Sequence, residues 1–428
     1  MGKALLIWLL SCGTLLAQWY TPPPHPTALP SHPFFIRNTW YIGGAGPWDT
    51  MTMDPAAQRL YIAHGSVVQV VDVQTGTVAG EIRGLAGARA IALDDSGGYG
   101  YISDGPAARV VVFDRRSLQT IAAIPTEPDP RSLVYEPRSG LVFVVQTAPP
   151  GQTPPPQPGR RRTTPSQAAR DANAASFITV IDPQADSVLG TILIAGHLGY
   201  AQTDGAGEVY VGYSNRDAIL RFSAGAVAAE MRNRQTEAAH MPATATAAGK
   251  QAARQAGEKK PVLLDWTGGQ GANSNAGGGF NDIPLGSGCG VPHGFDVDGR
   301  NGRIFAACGN MTLEVLNTAT GQQVALLAIG SGVDEIGYDP VHGYIFAADG
   351  AQDGNLTVIQ RNFTTDTYAI VQNLPTRERA FVMAVDAEDG EVYLVTDIEG
   401  ADLTHPGGIG SLRMKAIDGS FQVIQIGN

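Results

Sequence analysis

A small set of residues in this chain has types that could do chemistry. Cys289 and Cys308 flank His293. A disulfide between the two cysteines is the first expectation, with two unpaired buried thiols as the alternative. A metal site on Cys289, His293 and Cys308 would want a fourth ligand at recognisable spacing, and none is evident. His64, His197 and His293 could share a metal only if folding joins three distant segments. Arg89, Arg131 and Arg379 offer planar forks suited to a carboxylate or phosphate. The competing reading pairs these arginines with Asp49, Asp334 or Glu335. No Cys-x-x-Cys-His haem attachment occurs, and the Gly268 to Gly279 run lacks the strand-to-helix setting of a phosphate loop. No nucleophile with its base stands out either. No catalytic residue, metal site or cofactor is therefore assigned.

These side chains come from distant stretches, and the chain carries a repeat that can gather them. Seven times, a short apolar strand ends at an acid, a turn follows, and an aromatic comes about seven residues later inside a second apolar strand. The acids are Asp54, Asp94, Glu136, Asp204, Asp298, Asp339 and Asp386; the aromatics are Tyr61, Tyr101, Phe143, Tyr210, Phe305, Phe346 and Tyr393. Runs such as Leu60-Tyr61-Ile62-Ala63 and Val392-Tyr393-Leu394-Val395 have strand character. The turns between are rich in Gly, Pro, Asp and Asn, so each unit opens with a β-hairpin. A third strand ends in a small polar residue, as in Val70-Val71-Asp72 and Ala416-Ile417-Asp418. A fourth follows, as in Val78 to Ile82 and Phe421 to Ile426. Such units predict an all-β fold, a seven-bladed β-propeller of four-stranded antiparallel blades. The interval is 40 residues from Asp54 to Asp94, 42 from there to Glu136, and 41 from Asp298 to Asp339. Asn38 to Ile42 also reads as a fourth strand, although Phe421 to Ile426 already supplies one for the last blade; either the N-terminal strand closes the ring alongside the C-terminal one, or one of them lies outside the sheet.

Two intervals are too long, 68 residues from Glu136 to Asp204 and 94 from Asp204 to Asp298. The first contains a Pro- and Gln-rich insertion over 148–175 with the triplet Arg160, Arg161 and Arg162. The second contains an insertion over 224–279 that is Ala-, Gln- and Lys-rich, helical in composition, and then Gly- and Asn-rich. Such bias predicts surface loops or disorder. The strand-two aromatics and Met51, Ile91, Leu133, Phe295, Ile336 and Met383 on strand one are expected to pack between neighbouring blades.

In a propeller the innermost strand starts, and the second strand ends, on the face around the channel mouth. Five residues before the acids stand Asp49, Arg89, Arg131, Gly199, His293, Asp334 and Phe381. With Trp48, His64, Asp104, His197, Tyr200, Glu335, Asp349 and Arg379 they form a mixed ring of charge, imidazole and aromatic groups. The candidate ligand-binding set drawn from it is Trp48, Asp49, His64, Arg89, Asp104, Arg131, Tyr200, His293, Asp334, Glu335 and Arg379.

The unit resembles the YVTN β-propeller repeat. The matching residues are Leu60-Tyr61-Ile62-Ala63, the strand ending at Asp182, and Ile283-Pro284-Leu285-Gly286, within a resemblance over residues 40–428. The Tyr-Val-Thr-Asn tetrad itself is never spelled. The resemblance implies an exported binding or interaction module whose partner is an unnamed small molecule or protein. Related seven-bladed propellers include lactonases, lyases and subunits of quinone-dependent dehydrogenases, so an enzyme with its site at the same mouth is the alternative. A structural cell-surface protein is a third.

The N-terminus fits export. Lys3 precedes an apolar run from Ala4 to Leu10, and Leu15, Leu16 and Ala17 follow a small break. Residues 1–17 are read as a signal peptide, 18–37 as a Pro-rich segment and 38–428 as the propeller. Cleavage after Ala17 competes with a lipoprotein-type signal, in which Leu9-Leu10-Ser11 precedes a lipid anchor on Cys12. Ala4 to Ala17 is shorter than the ~20 apolar residues of a spanning helix. The expected location is periplasmic or secreted, where a disulfide can form. With 29 Lys and Arg against 40 Asp and Glu, the chain lacks the cationic surplus that nucleic acid requires. Its 53 Gly among 428 residues suit many tight turns.

Overall fold

A computed structural model describes residues 33–44, 46–94, 98–147, 175–240, 262–266, 279–351, 354–401 and 414–428. The signal peptide, Cys12 and most of the 148–175 insertion lie outside the described residues. Seven antiparallel four-strand sets follow one another. The innermost strands are Trp48–Asp54, Ala88–Leu93, Pro130–Glu136, Leu198–Thr203, Pro292–Asp298, Val333–Asp339 and Val382–Asp386. Each packs beside the next, and the seventh packs back against the first, which closes a ring. The chain is a seven-bladed β-propeller.

Side-chain chemistry explains both ends of each innermost strand. At its far end the repeated acid caps the hairpin turn. Asp54 accepts from the Ala57 amide at 3.1 Å, Glu136 from Arg138 and Ser139 at 3.0 and 2.7 Å, and Asp339 from Val341 at 2.8 Å. Such side-chain turns spare backbone amides that the hairpin leaves unpaired. The strand-two aromatics lie between blades. Tyr61 meets Phe113 at 5.6 Å, Tyr101 meets Tyr135 at 6.0 Å, Phe143 meets Phe222 at 5.4 Å and Phe305 meets Tyr338 at 4.7 Å, each partner belonging to the next blade. Aromatic contacts of this kind contribute about 0.5–1.5 kcal/mol beyond their burial.

Two expectations about the ring need correction. In the last blade Gln422–Gly427 is the third strand, paired with Glu391–Thr396, and the fourth is the N-terminal Phe35–Tyr41. Ala416-Ile417-Asp418 is not a blade strand; Met414–Ala416 forms a separate two-stranded hairpin with Glu399–Ala401. The ring is thus closed by both ends of the chain, the first of the two arrangements left open by the sequence, with Phe421 to Ile426 falling in the third strand and not the fourth. Trp40 of the N-terminal strand lies over Gly76, whose φ of +69° and missing Cβ let the indole sit there.

The second correction concerns 224–279. Ala224–His240 is a helix whose Val227, Ala228 and Met231 are buried against the third and fourth blades. Val262–Trp266 then adds a fifth, parallel strand to the outer strand Ser187–Ala195 of the third blade. Met231 occupies the space above Gly190. Composition marked the helix but not the apolar face that docks it. Asn281–Pro284 then supplies the fourth strand of the fourth blade, where the repeat was expected to resume.

Candidate binding site at the channel mouth

Two circles of residues occupy the mouth-side ends of the first two strands. The outer circle consists of the last residues of the second strands. Most of them turn back on the loop that enters their own blade. His64 Nε2 lies 3.0 Å from the Gly46 carbonyl, with Nδ1 2.7 Å from Gln69 Oε1 and the ring 4.0 Å from Phe421. Asp104 accepts from the Ala86 and Gly87 amides at 2.9 Å each and from Arg109 Nε at 2.8 Å. Tyr213 donates to the Ala195 carbonyl, and Thr396 donates to the Glu378 carbonyl at 2.7 Å. Asp349 accepts from the Gly330 amide and from Thr357. In the fifth blade the link is covalent, the Cys289–Cys308 disulfide with Cα atoms 5.2 Å apart. In the third blade the nearer partner lies elsewhere: Gln146 meets Thr179 Oγ1 at 2.9 Å and reaches the Glu127 carbonyl of the entering loop only at 3.5 Å.

Of the candidate set, His64 and Asp104 are buried, at 2% and 0% exposure, with their polar atoms engaged by the loop entering their own blade and by Gln69 and Arg109. The cysteines are bridged, so they hold no metal with His293. Among the described residues no group of three or more His, Cys, Asp or Glu side chains is placed to hold a metal ion, so His64, His197 and His293 are not brought together. His197 sits half-buried, its amide donating to Asn215 Oδ1 at 2.9 Å.

The inner circle consists of the starts of the innermost strands. Trp48, Asp49, Tyr200, His293, Asp334, Glu335 and Phe381 line a cavity of about 380 Å³. It continues through Thr50, Tyr200 and Glu335 into the channel, a further cavity of about 310 Å³. Deeper polar residues in the channel bridge neighbouring strands. Thr50 donates to the Arg89 carbonyl at 3.0 Å, Asp296 accepts from the Tyr338 amide at 2.9 Å, and Glu335 accepts from the Met383 amide at 2.6 Å. Burial pushes the Asp296 carboxyl up to about 7, and the Glu335 carboxyl and Tyr200 hydroxyl well above their usual ranges. Desolvation also raises Asp49, against the opposing pull of Arg89. His293 is raised by the nearby Asp334 carboxylate, 3.9 Å from Nδ1.

The arginines stand at the rim, each already engaged. Arg89 pairs with Asp49 at 3.2 Å, Arg131 with Asp129 at 2.9 Å, and Arg379 with Asp397 at 2.9 Å and with Glu399. Arg379 also lies over Trp48 at 4.6 Å. The ion-pair reading therefore describes Arg89 as expected, while Arg131 and Arg379 take carboxylates other than Asp334 and Glu335. An anion would have to displace these partners.

Sequence reasoning left Phe381, Thr50 and Asp296 out of the candidate set. Phe381 stood at the right register, five residues before its acid, and was passed over for being apolar. Thr50 and Asp296 were findable by the two-residue alternation of a strand with one face on the channel.

No family model matches the chain, and no curated protein matches it. Among solved structures it is similar to a chain titled "Crystal Structure of Mitotic Checkpoint Complex". The TM-score is 0.55 and the identity 12%, over 92% of this chain and 96% of that one. The likeness is one of fold. It extends to 1625 chains of solved structures, too many to single out an activity.

Proposed function

We propose that the chain is an exported propeller of the YVTN-repeat kind that binds a ligand or partner at the channel mouth. The observation that carries this reading is the 380 Å³ cavity. Its wall joins aromatic Trp48 and Phe381 to the convergent polar groups of Asp49, His293, Asp334 and Glu335. Export is supported by the Cys289–Cys308 bridge, which is compatible with an oxidising compartment. Among the described residues no helix is long and apolar enough to cross a membrane.

The test uses the full chain, expressed with its disulfide and titrated with a panel of monosaccharides, amino acids and short peptides. Binders are expected to shift the His293 imidazole resonances and the tryptophan emission. Phe381→Ala is expected to weaken them about tenfold or more, as loss of an aromatic wall does. Binders that leave both signals unmoved would place the site elsewhere.

A further inference from the structure

His293 has no place in the strand ladder that would hold it. Pro292 pairs with Cys308 and Phe295 with Ala306, and the register shifts between them, so His293 lies in a bulge at the mouth end of its strand. A bulge re-aims a side chain and leaves the extra residue unpaired. What fixes this one lies beside it. On one side is Gly309, the residue after Cys308. A β-carbon there would come within 3.0 Å of His293 Nε2, so the imidazole occupies the space that glycine leaves. On the other side is the loop that enters the blade. Its Cys289 is bonded to Cys308, and the Gly290 amide donates to Asn310 Oδ1 at 3.1 Å. The Val291 amide donates to Asp217 Oδ1 at 3.1 Å, and the Gly290 and Val291 carbonyls both accept from the Gly309 amide.

A second observation shows that this loop is held against its own preference. Val291 has a φ of +53°, in the left-handed region that a β-branched residue avoids. Its side chain is 49% exposed, so packing does not offset the strain. Such strain persists only where the surroundings over-determine it, and it clusters at binding sites. Val291 stands between Cys289 and His293, so the ties that hold its backbone also set where the imidazole points.

We infer that the Cys289–Cys308 bridge is a positioning device for the mouth: it fixes the entering loop so that His293 rests on Gly309 and faces Asp334. The charged groups that share the cavity with the imidazole are Asp334 and Glu335 of the sixth blade and Asp49 of the first. Asp334, 3.9 Å from Nδ1, is the one that raises the imidazole's titration. The bridge thereby sets the charge that the cavity presents, an effect separate from its contribution to stability. What this does to a ligand rests on the mouth being the binding site; the placement of His293 does not.

NMR titration of the full oxidised chain, with no ligand present, tests it. The His293 imidazole is expected to titrate above a free imidazole. In Cys289→Ser with Cys308→Ser that rise should be lost, while the resonances of His64, held within the first blade, stay in place and report an intact fold. A folded double variant whose His293 titrates as in the parent overturns the inference and leaves the bridge a stability clamp alone. Gly309→Ala keeps the bridge and keeps the fold measurable if the double variant does not fold. Gly309 is not in the left-handed region, so alanine suits its backbone, and the added methyl should displace the imidazole and lose part of the rise. An unchanged His293 titration in that variant overturns the placement as well. The mouth reading fails separately, if ligands that do bind the chain leave His293 unmoved.

Discussion

The two circles at the mouth lie one strand apart and are equally variable in residue type, yet they do different work. The outer circle reads His64, Asp104, Gln146, Tyr213, Cys308, Asp349 and Thr396. Each ties a second strand to the chain entering its own blade, through an imidazole, carboxylates, hydroxyls or a disulfide, and most loosely through Gln146, 3.5 Å from the Glu127 carbonyl. The inner circle is just as mixed, but several of its side chains leave a cavity between them. Mixed chemistry at a repeat position is therefore no sign of a ligand by itself. What separates the circles is whether a side chain's polar atoms are already used by its own blade.

If that distinction holds, removing an outer-circle residue should lower stability, and removing an inner-circle residue should spare it. The largest effect is expected from the covalent clamp. Cys289→Ser with Cys308→Ser opens a loop with a sequence separation of 19 residues. Chain-entropy arguments put the loss near 3 kcal/mol. Urea unfolding of the double variant beside the oxidised parent measures it, and coincident midpoints would remove the clamp from the account.

Asp104→Ala comes next. It strands two backbone amides and Arg109 around a fully buried position, with an expected cost of about 2–3 kcal/mol. Asp104→Asn keeps one acceptor and should recover part of that. An alanine variant as stable as the parent would show that the loop holds itself.

The pH dependence separates buried carboxyls at the mouth and in the channel from exposed carboxylates in the outer turns. Burial raises Asp349, in the outer circle, and Asp296, in the channel, from 3.8 to about 7. A carboxyl with a raised folded pKa gives stability that is fully present below its unfolded value, near 3.8, and lost as pH rises through about 7. Thermal midpoints should therefore fall between pH 5 and 8, and Asp349→Asn should flatten part of that slope. Asp72 and Asp114 act in the opposite sense. Turn amides lower their pKa values, so their contribution is lost below about pH 4, outside this window. A flat profile from pH 5 to 8 would contradict the burial argument for both raised groups.

How much of this was legible in the sequence follows from which interactions are local. The seven acids and aromatics recur at fixed spacing because each hairpin solves its turn with its own residues, so the ring could be counted in advance. The start of each innermost strand was also findable, since five residues back from a turn-capping acid is a fixed distance along a strand. Ring closure was not decided, although closure by both terminal strands was one of the two readings. Phe35–Tyr41 and Gln422–Gly427 pair across nearly the whole chain, and both read as ordinary strands. Nor could the direction of His64 or Asp104 be read. A polar residue at a strand end has the same local pattern whether it turns to its own loop or to the channel. The helix Ala224–His240 was visible in composition, but its docking depends on Gly190, some forty residues upstream.

The smallest expected effect is Arg89→Ala, and it probes the comparison most finely because it breaks an ion pair at the mouth. Arg89 and Asp49 are each 37% exposed, against 33% and 0% for Arg109 and Asp104. An exposed pair gains little from Coulomb attraction in water and holds two side chains in place, for a net of about 0–1 kcal/mol. The pair with Asp104 sits where desolvation makes a lost partner expensive. Arg89→Ala should therefore shift the urea midpoint by less than a third of the Asp104→Ala shift. Removing Arg89 also leaves Asp49 without its counter-charge, which makes the cavity more negative. A large loss of stability would move Arg89 into the clamping circle, because an exposed pair cannot cost what a buried one does.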